Sequence, residues 1–123
     1  MAILEKHIEL YVVKWAKTNG MRVRKLNGLG AQSWPDRLFC IPGGRPVFIE
    51  FKKPGGVPTP LQWDMINGLK RDGYEVYVID NREAGIAVLR EAMEAGKVPS
   101  KGNEVPTGAR RQRAIARSWL KKN

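Results

Sequence analysis

One cysteine, one histidine and three phenylalanines in 123 residues leave little room for several common designs. A lone Cys40 rules out an internal disulfide, and with it the cystine-stapled scaffolds; it favours a reducing compartment. His7 is the sole imidazole, so no Cys/His cluster of the zinc type can be assembled within one chain. No apolar run approaches the roughly 18 residues that a membrane span needs. No leader of the secretory type opens the sequence, and a cytoplasmic location is expected. Acidic residues are also scarce: 12 Asp+Glu face 22 Lys+Arg, for a formal net charge of +10. An excess of that size on a small protein points to a polyanion, of which nucleic acid is the commonest.

What is present suits one compact domain. Hydrophobic residues make up 42% of the chain, enough for a core without staples. The positive charge is unevenly spread. Residues 1–99 hold 15 basic and 11 acidic side chains, a net of +4, whereas residues 100–123 hold 7 and 1, a net of +6. The expected organisation is therefore a nearly balanced domain over residues 1–97 and a basic linker and tail over 98–123. The tail alone would bind phosphate weakly and without sequence preference; a solubilising or disordered basic end is the alternative. The acids of the body need a separate explanation.

Hydrophobic spacing predicts the elements. Leu4, Ile8, Val12 and Trp15 recur at helical intervals between Ile3 and Thr18, and Asn19-Gly20 supplies a stop. Glu5 and Glu9 are four apart and share a face of that helix. Residues 21–26 read as a half-buried strand, and 37–41 as a short apolar strand that places Cys40 in the core. Pro42-Gly43-Gly44-Arg45 is a turn, and 46–52 (PVFIEFK) is the most strand-like run. Thr59-Pro60 opens a helix over 61–72, with Leu61, Met65 and Leu69 facing inward. A strand over 75–79 and a helix over about 82–95, capped by Asp80 and Glu83, complete the body. Residues 109–122 fit a further basic helix with Ile115 and Trp119 on one side. The order predicts an α/β domain with a mixed sheet of about four strands flanked by helices.

Within 46–52, Phe48, Glu50 and Lys52 share one strand face while Val47, Ile49 and Phe51 share the other. A carboxylate amid a central apolar strand costs several kcal/mol to bury unless a partner or metal compensates. Asp36, at the start of the preceding strand, can lie across the hairpin from Glu50. Two adjacent carboxylates repel, and a divalent cation removes the repulsion. Oxygen-only ligands suit magnesium or manganese. Lys52 adds a positive charge beside them, fit to orient a water or stabilise charge on a phosphate in transition. Taken alone, a Glu-x-Lys strand is equally well a solvated face with a surface ion pair.

The whole arrangement resembles the PD-(D/E)xK nucleases, and more narrowly a stand-alone VRR-Nuc domain of phage type. Glu5, Pro35-Asp36-Arg37, the Pro42–Arg45 turn, Val47 to Lys52, Lys53-Pro54-Gly55-Gly56, Leu61-Gln62, Leu69, Gly73 and Val78-Ile79-Asp80 carry the likeness, over about residues 3–90. The family's usual Gly-x-Pro-Asp is here Ser33-Trp34-Pro35-Asp36, with glycines displaced to Gly28 and Gly30. The resemblance implies the restriction-endonuclease-like fold and a Mg2+- or Mn2+-dependent endodeoxyribonuclease. It implies metal ligation by Asp36, Glu50 and the backbone carbonyl of Phe51, with Lys52 beside the attacking water. Gln62 would position that water or the scissile phosphate, and Glu5, in preference to Glu9, would complete the site. It further implies branched DNA such as a four-way (Holliday) junction as substrate, a homodimer as the active form, and a bacterial host cytoplasm as the location. A nuclease acting on linear or single-stranded DNA, and a non-catalytic DNA-binding accessory protein, are the alternatives.

Candidates for DNA contact are Arg22, Arg24, Lys25 and Lys53 around the acids, and Arg110, Arg111, Arg113 and Arg117 in the tail. Trp34 either stacks on a base or packs over the sheet. His7 reads as an ordinary surface histidine, and Trp63 as packing or a subunit contact.

Overall fold

The computed structural model describes residues 2–27 and 33–96. The tail candidates Arg110, Arg111, Arg113 and Arg117, and the displaced Gly28 and Gly30, lie outside the described residues. Seven elements follow one another: α1 (Glu5–Thr18), β1 (Arg22–Lys25), β2 (Arg37–Ile41), β3 (Arg45–Phe51), α2 (Pro60–Arg71), β4 (Glu75–Ile79) and α3 (Arg82–Gly96). The four strands form one mixed sheet in the order β1-β2-β3-β4. β1–β2 and β2–β3 are antiparallel, and β3–β4 is parallel through the α2 crossover. This is the α/β architecture that the hydrophobic spacing predicts.

The alternation of β3 splits the core in two. Val47, Ile49 and Phe51 join Ile8, Val12, Phe39, Ile79 and Leu89 under α1 and α3. Phe48 joins Ile66, Leu69 and Val76 under α2. Because β3 has a hydrogen-bonded strand on each side, whatever its residues carry is sealed from solvent along both edges. Hairpin β2–β3 closes through Gly43 and Gly44, with φ of 108° and 93°. Side chains other than glycine rarely adopt that backbone.

Four expectations are corrected. α1 starts at Glu5, and Leu4 serves as its extended N-cap, 55% exposed instead of buried. Cys40 is exposed, since alternation in β2 sends Phe39 and Ile41 into the core and Cys40 to the opposite face near the hairpin end. On α2 the buried stripe is Ile66 and Leu69, with Met65 partly covered. Leu61, in the first turn, is 70% exposed. The α3 cap is Asn81, whose Oδ1 accepts from the Ala84 N–H at 2.8 Å. Asp80 instead accepts from the Gly55 N–H at 3.0 Å, and so ties down the loop that follows β3.

Candidate active site

The register of the hairpin builds the site. Arg37 pairs with Ile49, so the next step along β2 and β3 sets Asp36 beside Glu50. Asp36 is held three ways. Its main-chain carbonyl accepts from Leu26 N–H at 2.9 Å, its Oδ2 from Phe51 N–H at 2.7 Å, and its Oδ1 from Asn27 Nδ2 at 2.6 Å. Glu50 is 1% exposed and Asp36 6%, and the two are the buried charged residues of the described core. β3 ends at Phe51, Lys52 N–H reaches Ile79 O at 2.8 Å, and the Lys52 ammonium folds back to Glu50 Oε2 at 2.9 Å. Gly56 sits against this residue: an added Cβ would stand 3.3 Å from Lys52 Cβ and 3.0 Å from Lys53 O.

The electrostatics set this apart from a surface ion pair. Burial pushes the Glu50 carboxyl up to about 7; the Asp36 charge pushes the same way, and contact with Lys52 opposes both. Asp36 is also raised, chiefly by burial, against the pull of the Phe51 N–H. Glu50 Oε1 is buried without a hydrogen-bond partner. Its carboxylate neighbour Asp36 can satisfy it only by sharing a proton, which neutralises part of the pair. A divalent cation fits better, because it satisfies the orphaned oxygen with both carboxylates ionised. No group of three His, Cys, Asp or Glu side chains among the described residues is arranged to hold a metal. Asp36 and Glu50 with main-chain oxygen could hold such an ion if water completed its shell, a donor chemistry that suits magnesium.

α1 brings both of its acids to this edge, in different states. Glu9 is engaged by Arg37, whose Nε donates to Glu9 Oε2 at 2.7 Å. Glu5 is half-buried and raised by that burial, with Lys52 opposing and the Asp36 and Glu9 charges adding. Glu5 therefore feels the central cluster while keeping its carboxylate out of the Arg37 pair. Gln62 plays a structural part. Its N–H donates to Thr59 Oγ1 at 3.2 Å and its Oε1 accepts from Thr59 N–H at 2.9 Å, forming a capping box for α2. Lys53 and, on the edge strand β1, Arg22, Arg24 and Lys25 are exposed. Trp34 is 36% exposed, its ring 6.3 Å from that of Phe48. Asn27, which positions Asp36, carries no sequence mark, since a loop asparagine is an ordinary surface residue; Arg37 stands within the Pro35-Asp36-Arg37 match, but nothing in the spacing signals its pairing with Glu9.

A pH dependence follows. Glu50 takes up a proton more readily folded than unfolded, so the folded state gains protons between the ordinary 4.5 and about 7. Stability contributed by the protonated form is present below that window and lost as pH rises through it, by roughly 3 kcal/mol at most. Urea denaturation in EDTA is expected to show a more stable protein at pH 5 than at pH 8. Magnesium or manganese is expected to recover stability at pH 8 and little at pH 5.

No protein-family model matches the chain. A curated relative, "Putative nuclease p44" of Acyrthosiphon pisum secondary endosymbiont phage 1, is 35% identical over 81 residues, spanning 66% of this chain and 87% of the relative. A solved structure named "VRR_NUC domain" superposes with a TM-score of 0.64 at 25% identity, over 70% of this chain and 94% of that one. A second, "VRR_NUC domain protein", gives 0.63 at 20% identity, over 76% and 91%, and supports the fold. Among the described residues no helix is long and apolar enough to cross a membrane.

Proposed function

The chain belongs to the VRR-Nuc family of nucleases, and we propose that it is a Mg2+- or Mn2+-dependent DNA endonuclease acting on branched DNA as a homodimer in a host cytoplasm. One observation carries the metal dependence: the buried, unpartnered Glu50 Oε1 beside Asp36 and opposite Lys52. Asp36, Glu50 and the Phe51 carbonyl would hold the cation. When bound, it neutralises the carboxylate pair and supplies Lewis acidity toward the phosphate.

The remaining chemistry falls to the chain's own residues. Asn27 and the Phe51 N–H fix the Asp36 carboxylate, so the site is preorganised before substrate arrives. Glu50 holds the Lys52 ammonium at the mouth of the cluster. There it orients the attacking water and stabilises negative charge on the non-bridging oxygens. Water oxygen bonds to phosphorus in line with the departing oxygen, the P–O bond breaks, and the leaving oxygen takes a proton from solvent water. Glu5 would accept a proton from the water side, and Gln62, whose Oε1 is engaged by Thr59, would meet the phosphate through its amide nitrogen. Arg22, Arg24, Lys25 and Lys53 supply phosphate contacts, together with Arg110, Arg111, Arg113 and Arg117. One domain has one such cluster, and paired incisions across a junction need two, hence the dimer.

The test is cleavage of labelled four-way junction, flap, duplex and single-stranded DNA in magnesium, with sedimentation of the same protein. Junction cleavage in paired cuts by a dimer is expected. A monomer that prefers linear or single-stranded ends would replace the substrate reading, and binding without cleavage would favour an accessory protein. A chain ending at Val98 is expected to bind DNA more weakly and with a flatter salt dependence, because each lost phosphate contact lowers the slope. Filter binding over a salt series measures both.

A further inference from the structure

A groove of about 430 Å3 is lined by Trp34, from the segment that leads into β2, and by Leu61, Asp64, Met65, Gly68 and Asp72 at α2 and its C-cap. We propose that this groove receives an unpaired nucleobase of the DNA whose neighbouring phosphate is cut, an inference that rests on the nuclease reading above.

Trp34 stands two residues before Asp36, joined to it by the buried Pro35. Two residues of chain span at most about 7 Å, so a base on the indole lies close to the site. The indole is backed on one side. Phe48 lies 6.3 Å behind it and Tyr74 packs edge-on against Phe48 at 5.9 Å. Trp34 lines the groove and is 36% exposed. The opposite wall is apolar and wet: Leu61 is 70% exposed, although it lies only a few residues from the buried Ile66. A cavity of this size with aromatic and aliphatic walls suits a small planar ring.

The charges choose between base and backbone. Asp64 and Asp72 repel a phosphate, and the α2 cations Lys70 and Arg71 are not among the residues that line the groove. Carboxylates accept hydrogen bonds from the exocyclic amino groups of adenine, cytosine and guanine. Thymine offers only its ring N3–H. Stacking supplies affinity, the acids supply a bias against thymine, and a fully paired duplex cannot deliver a base without unstacking it.

The test uses Gly68→Leu. A Cβ at Gly68 meets nothing within 4 Å, and leucine is the better helix former, so the variant fills the groove without straining α2. DNA carrying one unpaired 2-aminopurine is titrated with protein in EDTA. Stacking quench is expected with wild type, and affinity about tenfold weaker with Gly68→Leu. Trp34→Ala is expected to lose the quench and Trp34→Phe to regain part of it. In magnesium, Gly68→Leu should raise KM for the unpaired substrate and leave duplex cleavage as it was. Unpaired thymine should bind less tightly than cytosine. Quenching and substrate preference unchanged in Gly68→Leu would overturn the proposal, as would a change in its sedimentation alone, which would mark the groove as a contact between copies. If wild type binds the base in EDTA but never cuts DNA, the nuclease reading fails and the groove stands.

Discussion

A Glu50→Gln protein is expected to lose about three orders of magnitude in cleavage rate while becoming more stable in EDTA at pH 8. The two effects have one cause. Glu50 is held almost wholly out of water beside Asp36, and its ionised form is disfavoured enough to push the carboxyl up to about 7. A neutral amide of the same shape removes that burden, and also removes the charge that pairs with Lys52 and that would ligate the proposed cation. The gain in stability is expected to be on the order of 1–3 kcal/mol at pH 8. It should shrink at pH 5, where the native carboxyl is already protonated. The loss in rate reflects missing charge stabilisation at the reacting phosphate, of a size seen when one such group is deleted. Chemical denaturation at the two pH values and single-turnover cleavage measure the two halves. Stability lost at pH 8 would mean that the Lys52 contact outweighs burial.

Gly85→Val is expected to destabilise the protein by about 3 kcal/mol, through packing alone. A Cβ at Gly85 would stand 2.8 Å from Val12 Cγ2 and 3.3 Å from Ile79 Cγ2. Val12 is fully buried on α1 and Ile79 lies at the end of β4, so neither has space to retreat. α3 must then move off α1, and α1 carries Glu5 to the site. For a domain of this size the melting temperature should fall by roughly 12 °C or more. Activity should fall with it at temperatures well below the melt, through displacement of Glu5. Gly85→Ala should have a smaller effect of the same sign. A melt unchanged by valine would show that the helices are not in close contact.

The central strand β3 is readable because its pattern is set by burial on both faces. Spacing alone assigns Val47, Ile49 and Phe51 to one side and Phe48 and Glu50 to the other. Glu50 is conspicuous for the same reason, as a charge where an apolar residue belongs. The helices are less legible at their ends. Leu61 and Leu4 have the spacing of core residues but fall at helix starts, in the first turn of α2 and at the N-cap of α1, where periodicity carries no information about what lies beneath. Cys40 follows the alternation of β2, but its apolar neighbours mask which face it takes. The Asn81 cap escapes because Asp80 is an equally good capping residue, and only the tertiary contact to Gly55 claims it. The supports of the site are not legible at all. Asn27 to Asp36 and Arg37 to Glu9 join residues 9 and 28 positions apart, and no local rule connects them.

The most direct test is cleavage of a pooled set of labelled junction, flap, duplex and single-stranded DNA by wild type and Asp36→Ala, each with magnesium and with EDTA, after circular dichroism has confirmed that both are folded. Cleavage by wild type in magnesium, and in none of the other three reactions, is the expected result. Cleavage that persists in EDTA, or in Asp36→Ala, would contradict a metal-dependent nuclease centred on Asp36 and Glu50.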